Sequence, residues 1–92
     1  MAYRVEFDGD GHAEGDLATI WCDAPQGERQ RITDAAHSVE IHLQQNAAEG
    51  TPLTNGVNPV VRYINWDVLR VYYQIYNDHG KVIIIGFKSL VR

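Results

Sequence analysis

Cysteine is almost missing from this 92-residue sequence: Cys22 stands alone. That excludes an intrachain disulfide and any zinc site built from cysteines. Long apolar runs are missing as well. The longest, Val82-Ile83-Ile84-Ile85, has the length of a strand, against the roughly 20 residues that a membrane-crossing helix needs. The stretch after Met1 has neither the basic start nor the apolar segment of a secretory leader. A reducing, cytoplasmic setting without membrane contact is the expectation. Basic charge is scarce too. Eight Lys and Arg against twelve Asp and Glu leave a net charge of −4, too acidic for the whole molecule to be steered strongly to nucleic acid.

What is present suffices for one core. The apolar share of 45% is that of a globular protein, and 92 residues are too few for two cores, so residues 1–92 are expected to form a single domain. A domain this small buries only about 60–65% of the surface its unfolded chain exposes, so a second copy or a partner chain would add to its stability. The charge is also divided along the chain. Up to Glu49 three arginines face ten acids, a net −7; from Gly50 onward five basic residues face Asp67 and Asp78, a net +3. A polyanion would therefore be met by the C-terminal half.

Period-2 alternation over Tyr3, Val5 and Phe7 predicts a half-buried strand, and Asp8–Gly11 a turn. Ala13, Leu17, Ile20, Trp21 and Ala24 fall on one helical face, which predicts a first helix stopped by Pro25 and Gly27. A second helix is expected from about Glu28 to Ala48, with Ile32, Ala36, Val39, Leu43 and Ala47 as its buried stripe. The short break between them makes an antiparallel hairpin. After a loop over Thr51–Pro59, three strands rich in Val, Ile and Tyr are expected at about Val60–Asn65, Leu69–Asn77 and Lys81–Ser89. The fold class is α+β, a helical hairpin packed on an antiparallel sheet.

The loop between the first two of these strands decides what each face carries. A three-residue loop, Trp66 to Val68, puts Val61, Tyr63, Leu69, Val71, Tyr73 and Ile75 on the helix side, and Arg62, Arg70, Tyr72 and Tyr76 on the other. A two-residue loop would separate Arg62 from Arg70, because a one-residue slip flips every side chain. The longer loop segregates charge better and is the expected one. The last strand does not alternate, so Ile83, Ile85 and Phe87 are expected to supply apolar surface for a partner.

Other motifs have plainer readings. The glycines at 9, 11 and 15 lack dinucleotide spacing and are flanked by acids that would repel a pyrophosphate; an acidic turn is expected, with no calcium geometry. His37 and His42 are five apart, about 140° around a helix, so they cannot grip one metal ion. Cys22 has no basic neighbour to activate it. No metal and no cofactor is expected. The residues suited to phosphate are Arg62 and Arg70, as candidate catalytic cations, with Tyr72, Tyr76, Lys88 and Arg92 as nucleic-acid contacts. Guanidinium groups clamp phosphates bidentately, and aromatic rings stack bases.

Taken in order, Tyr3-Arg4-Val5-Glu6-Phe7, then Ala13-Glu14-Gly15-Asp16-Leu17-Ala18-Thr19-Ile20-Trp21, then Arg62 eight residues before Leu69-Arg70-Val71-Tyr72-Tyr73-Gln74-Ile75, the chain resembles the RelE/ParE toxin superfamily of bacterial toxin–antitoxin systems. The resemblance implies a β-α-α-β-β-β fold and a toxin neutralised by a cognate antitoxin that wraps its surface. It implies one of two activities. RelE-like members cut mRNA in the ribosomal A site, where basic residues and a tyrosine serve attack by a 2′-hydroxyl; ParE-like members poison DNA gyrase and cut nothing. Ribosome-dependent members are strongly basic, whereas this chain is acidic and has no basic residue from Thr51 to Val61. Three readings follow: an mRNA-cleaving toxin, a non-enzymatic gyrase inhibitor, and a catalytically silent domain that pairs with a second copy.

Overall fold

The computed structural model describes residues 2–53 and 59–91. Strand β1 (Arg4–Phe7) leads into helix α1 (His12–Asp23), and a 3₁₀ turn (Gln26–Glu28) joins it to helix α2 (Arg29–Asn46). A second 3₁₀ turn (Ala47–Glu49) precedes β2 (Thr51–Pro52), β3 (Val61–Trp66), β4 (Leu69–Tyr76) and β5 (Lys81–Ser89). The strands form one sheet in the order β1-β5-β4-β3-β2. Two features go beyond the sequence expectation. β2 is an additional two-residue strand on β3, and β1 pairs with β5 in parallel, so the sheet is mixed.

Helix α1 starts where Gly11, at φ 81, turns the chain, and Asp8 caps it from the end of β1. The Asp8 carboxylate accepts the Ala13 N–H at 2.9 Å and the His12 N–H at 3.3 Å, two of the donors that a helix start leaves orphaned. At the other end Arg29 donates to the carbonyls of Trp21, Cys22 and Ala24 and lies 4.4 Å above the Trp21 ring. Trp21 is thus a lid on its own helix end, exposed to 40% rather than buried as its place in the stripe suggested.

Helix α2 buries the stripe its spacing foretold. Ile32, Ala35, Ala36, Val39, Leu43 and the following Ala47 meet Leu69, Val71, Tyr73, Val82 and Ile84 of the sheet, and together these make the core. Tyr73 closes it. Its hydroxyl donates to the Ala47 carbonyl at 2.7 Å and accepts the Gly50 N–H at 2.9 Å, which satisfies backbone groups left over at the helix end. Burial pushes its phenol pKa above the usual tyrosine range. Gly50 is required there, since a Cβ would overlap the Tyr73 hydroxyl and come within 2.9 Å of the Tyr63 carbonyl oxygen.

The β3–β4 loop has two residues, not three: Trp66 pairs with Leu69 across Asp67-Val68. Two long-range contacts hold this register. The Trp66 indole donates to Ser38 Oγ at 2.7 Å and stacks on His42 at 4.4 Å, so Trp66 belongs to the helix side of a strand. Asp67, at φ 55, is gripped by Arg31 of α2 through Nε at 3.1 Å and Nη2 at 2.7 Å. The slip turns Val61 and Tyr63 to the open face, and Arg62, Ile64 and Trp66 to the helices. Arg62 and Arg70 therefore do not share a face.

Candidate functional site

The helices cover one face of the sheet, and the other is open. β4 gives that face Arg70, Tyr72, Gln74 and Tyr76, and β3 gives it Tyr63 and Asn65. β5 adds Lys81, Ile83 and Lys88, and β1 adds Arg4 and Glu6, opposite Lys81 and Ile83. Of the chain's twelve acidic residues Glu6 lies on it and the Asp16 carboxylate reaches its rim beside Gly86, against four cations. The rest sit on the helices and turns. A chain of net charge −4 thus presents one basic, tyrosine-lined surface.

Arg70 and Lys88 are cross-strand partners at one end. The Arg70 Nε donates to Asn65 Oδ1 at 2.8 Å, and its guanidinium carbon lies 4.7 Å above the Tyr63 ring. Held from below and from one side, it keeps its terminal N–H groups without a protein partner among the described residues, and Lys88 makes no ion pair among them. Tyr63 and Tyr72 follow, with ring centroids 6.5 Å apart. Two positioned cations beside half-buried rings can hold a phosphodiester and its base.

At the opposite end Tyr76, Lys81 and Arg4 stand in one cross-strand row. Glu6 pairs there with Arg4 at 2.6 Å and lies 3.8 Å from Lys81. Tyr76, His79, Lys81 and Ile83 line a shallow cleft at this corner. Arg4, Lys81, Tyr63 and Asn65 were not singled out from the sequence. The signal for Lys81 was its odd-numbered place beside buried Val82; for Arg4 it was the pairing of β1, which no local pattern reveals.

Other expected site residues lie elsewhere. Arg62 is half-buried on the helix side, donating from Nη1 to the Gly50 carbonyl at 3.0 Å. Phe87 is a core residue, 5% exposed and edge-on to Phe7 at 5.6 Å. The cause is a bulge: Ile84 pairs with Tyr73 and Gly86 with Tyr72, which leaves Ile85 unopposed and shifts the phase of everything after it. Ile83 and Ile85 remain half-exposed. Arg92 lies outside the described residues.

Asp8, Asp10 and His12 bring ligating atoms within 4.8 Å of one another, but Asp8 is the cap of α1 and the other two are exposed. His42 is bonded to Glu49 at 2.9 Å. A second apolar surface lies between the helices, where Leu17, Ala18, Trp21 and Ile32 line a groove. No helix among the described residues is long and apolar enough to cross a membrane.

No protein-family model and no curated protein matches the sequence. Solved structures do resemble it. A chain of the toxin–antitoxin complex RelBE2 from Mycobacterium tuberculosis superposes with a TM-score of 0.74 at 19% identity, over 97% of this chain and 92% of that one. The chromosomal ParDE toxin–antitoxin system from P. aeruginosa gives 0.69 at 17% identity, over 97% of each chain. The isolated E. coli RelE toxin gives 0.54 at 18% identity, over 99% of this chain and 87% of that one. Helical hairpin, mixed sheet and open face taken together, the chain has the fold of the RelE/ParE superfamily.

Proposed function

We propose that this protein is the toxin of a toxin–antitoxin pair, that a cognate antitoxin neutralises it, and that it blocks translation by engaging mRNA on the ribosome through its open sheet face. The observation that carries the reading is the segregation of charge: an acidic chain that keeps four cations and three tyrosines on the one face its helices leave bare. Its end-to-end likeness to the isolated RelE toxin supports the toxin role. In this reading Arg70 and Lys88 hold the phosphodiester, with Tyr72 beside it, and a positioned cation stabilises charge that develops during cleavage. Arg62 acts through folding. The antitoxin covers apolar surface at Ile83 and Ile85 and in the groove between the helices.

The likeness to the ParDE system, at a TM-score of 0.69, favours a second reading, a gyrase poison without nuclease activity. One experiment separates the two. Expression without an antitoxin is expected to arrest bacterial growth, with cleaved mRNA ends detected by primer extension. Arg70→Ala should restore growth, since losing one positioned donor costs about 10²–10³ in rate. Arrest with intact mRNA and accumulated gyrase–DNA cleavage complexes would transfer the function to gyrase. A harmless parent chain at high expression would overturn the toxin reading itself.

A further inference from the structure

Arg70 and Lys88 mark one end of the open face, and Arg4 with Lys81 the other. Tyr76, the residue opposite Lys81, lies six positions along β4 from Arg70, a distance of about 20 Å at strand rise. Between the two ends the face has no cation: Tyr72, Gln74, Ile83 and Ile85 lie there, with the Glu6 carboxylate in the row of Ile83. The arrangement is cation, rings and aliphatic side chains, cation.

The geometry points to a second phosphate subsite at the Arg4–Lys81 corner, so that the open face holds a short single strand of RNA at both ends, with Glu6 as a built-in competitor. This rests on the open face being the RNA surface. Charge complementarity selects the occupant: four cations against Glu6, with Asp16 at the rim, leave the face positive inside a molecule of net −4, which suits an anionic ligand lying along it. Tyrosines spaced along the path suit a chain of bases, because every base has a face to stack. The span suits on the order of four nucleotides, the lower end of site sizes for small single-strand-binding domains. At the far corner the Tyr76 ring and the cleft beside His79 would receive the last base, and Lys81 its phosphate. Glu6 holds Arg4 and Lys81 at 2.6 and 3.8 Å, so an incoming phosphate has to displace a carboxylate. That keeps binding at this end weak and strongly dependent on salt.

Fluorescence anisotropy with the full chain and labelled 2′-O-methyl oligoribonucleotides, which cannot be cleaved, tests this across a salt series. A tetranucleotide is expected to bind Lys81→Ala several-fold more weakly than the parent, with the slope of log affinity against log salt reduced by about 0.7, the value for one phosphate contact on a single strand. A dinucleotide should not distinguish the two proteins. Glu6→Gln should bind the tetranucleotide several-fold more tightly, the reverse of what a merely destabilised variant would do. Circular dichroism should be unchanged for both. If both variants bind the tetranucleotide like the parent while Arg70→Ala is weakened, the second subsite is wrong and the RNA face stands. No tetranucleotide binding by the parent at low salt would overturn the RNA face as well. An acidic peptide of equal charge that competes as well as the oligonucleotide would assign the surface to a protein partner instead.

Discussion

At the scale of single residues, Tyr73 illustrates both what the sequence discloses and what it withholds. Alternation along Leu69–Ile75 places its side chain on the helix side, and there it lies. That its hydroxyl would join Ala47 to Gly50 depends on how the helix end meets the sheet, which no local pattern encodes. Tyr73→Phe leaves a buried N–H and a buried C=O unpaired and should cost about 1–3 kcal/mol in denaturant melts. Gly50→Ala forces Tyr73 aside and should cost about as much, through overpacking. The phenol also makes stability depend on alkaline pH. Its pKa is raised in the folded state, so its contribution is complete below the unfolded value near 10 and is lost as pH climbs through the folded value. Melts from pH 8 to 11 should show this decline in the parent and a shallower one in Tyr73→Phe.

At the scale of elements, the helices were legible and the pairing of strands was not. The α2 stripe is a 3.6-residue period that tolerates one solution, and Leu43 at its centre is fully buried. Leu43→Ala should cost about 2–5 kcal/mol and lower the melting temperature by about 10–40 °C. β3 offered two solutions, because Val61 and Tyr63 are as apolar as Ile64 and Trp66. The choice is made by Ser38, His42 and Arg31, which are distant in sequence. Arg31 gives the β3–β4 turn a pH signature. The hydrogen bond from Arg31 holds the Asp67 carboxyl below the usual range, so the turn's contribution is present above about pH 4 and is lost as pH falls through the lowered value. Asp67→Asn should flatten the acid limb of the stability profile. The effect will be small, because the pair is exposed. The bulge in β5 and the parallel β1 pairing had no sequence signal, and between them they moved Phe87 inward and brought Arg4 to the open face.

At the scale of the whole molecule, the C-terminal half was legible as the cationic one, with a net +3 from Gly50 onward. Which cations share the bare face was not: the two-residue turn takes Arg62 off it, and the pairing of β1 with β5 brings Arg4 to it. The small core and the half-exposed Ile83 and Ile85 suit a chain that pairs with a second copy. Light scattering of the isolated protein is expected to give a mass above that of one chain. Ile83→Asp or Ile85→Asp should lower it with circular dichroism unchanged; a monomeric parent would count against pairing through this face.

The pairing of β1 with β5 also sets a timetable. Arg4 must wait for Lys81, 77 residues later in the chain, before it has its cross-strand neighbour. At about 5–20 residues per second, that is a delay of roughly 4–15 s during synthesis. Until β5 emerges, α1 lacks the strand it packs on, the Phe87 amide that Asp16 holds at 3.1 Å does not exist, and Arg70 has no Lys88 beside it. The open sheet face is thus completed by the strand that is translated after all its neighbours.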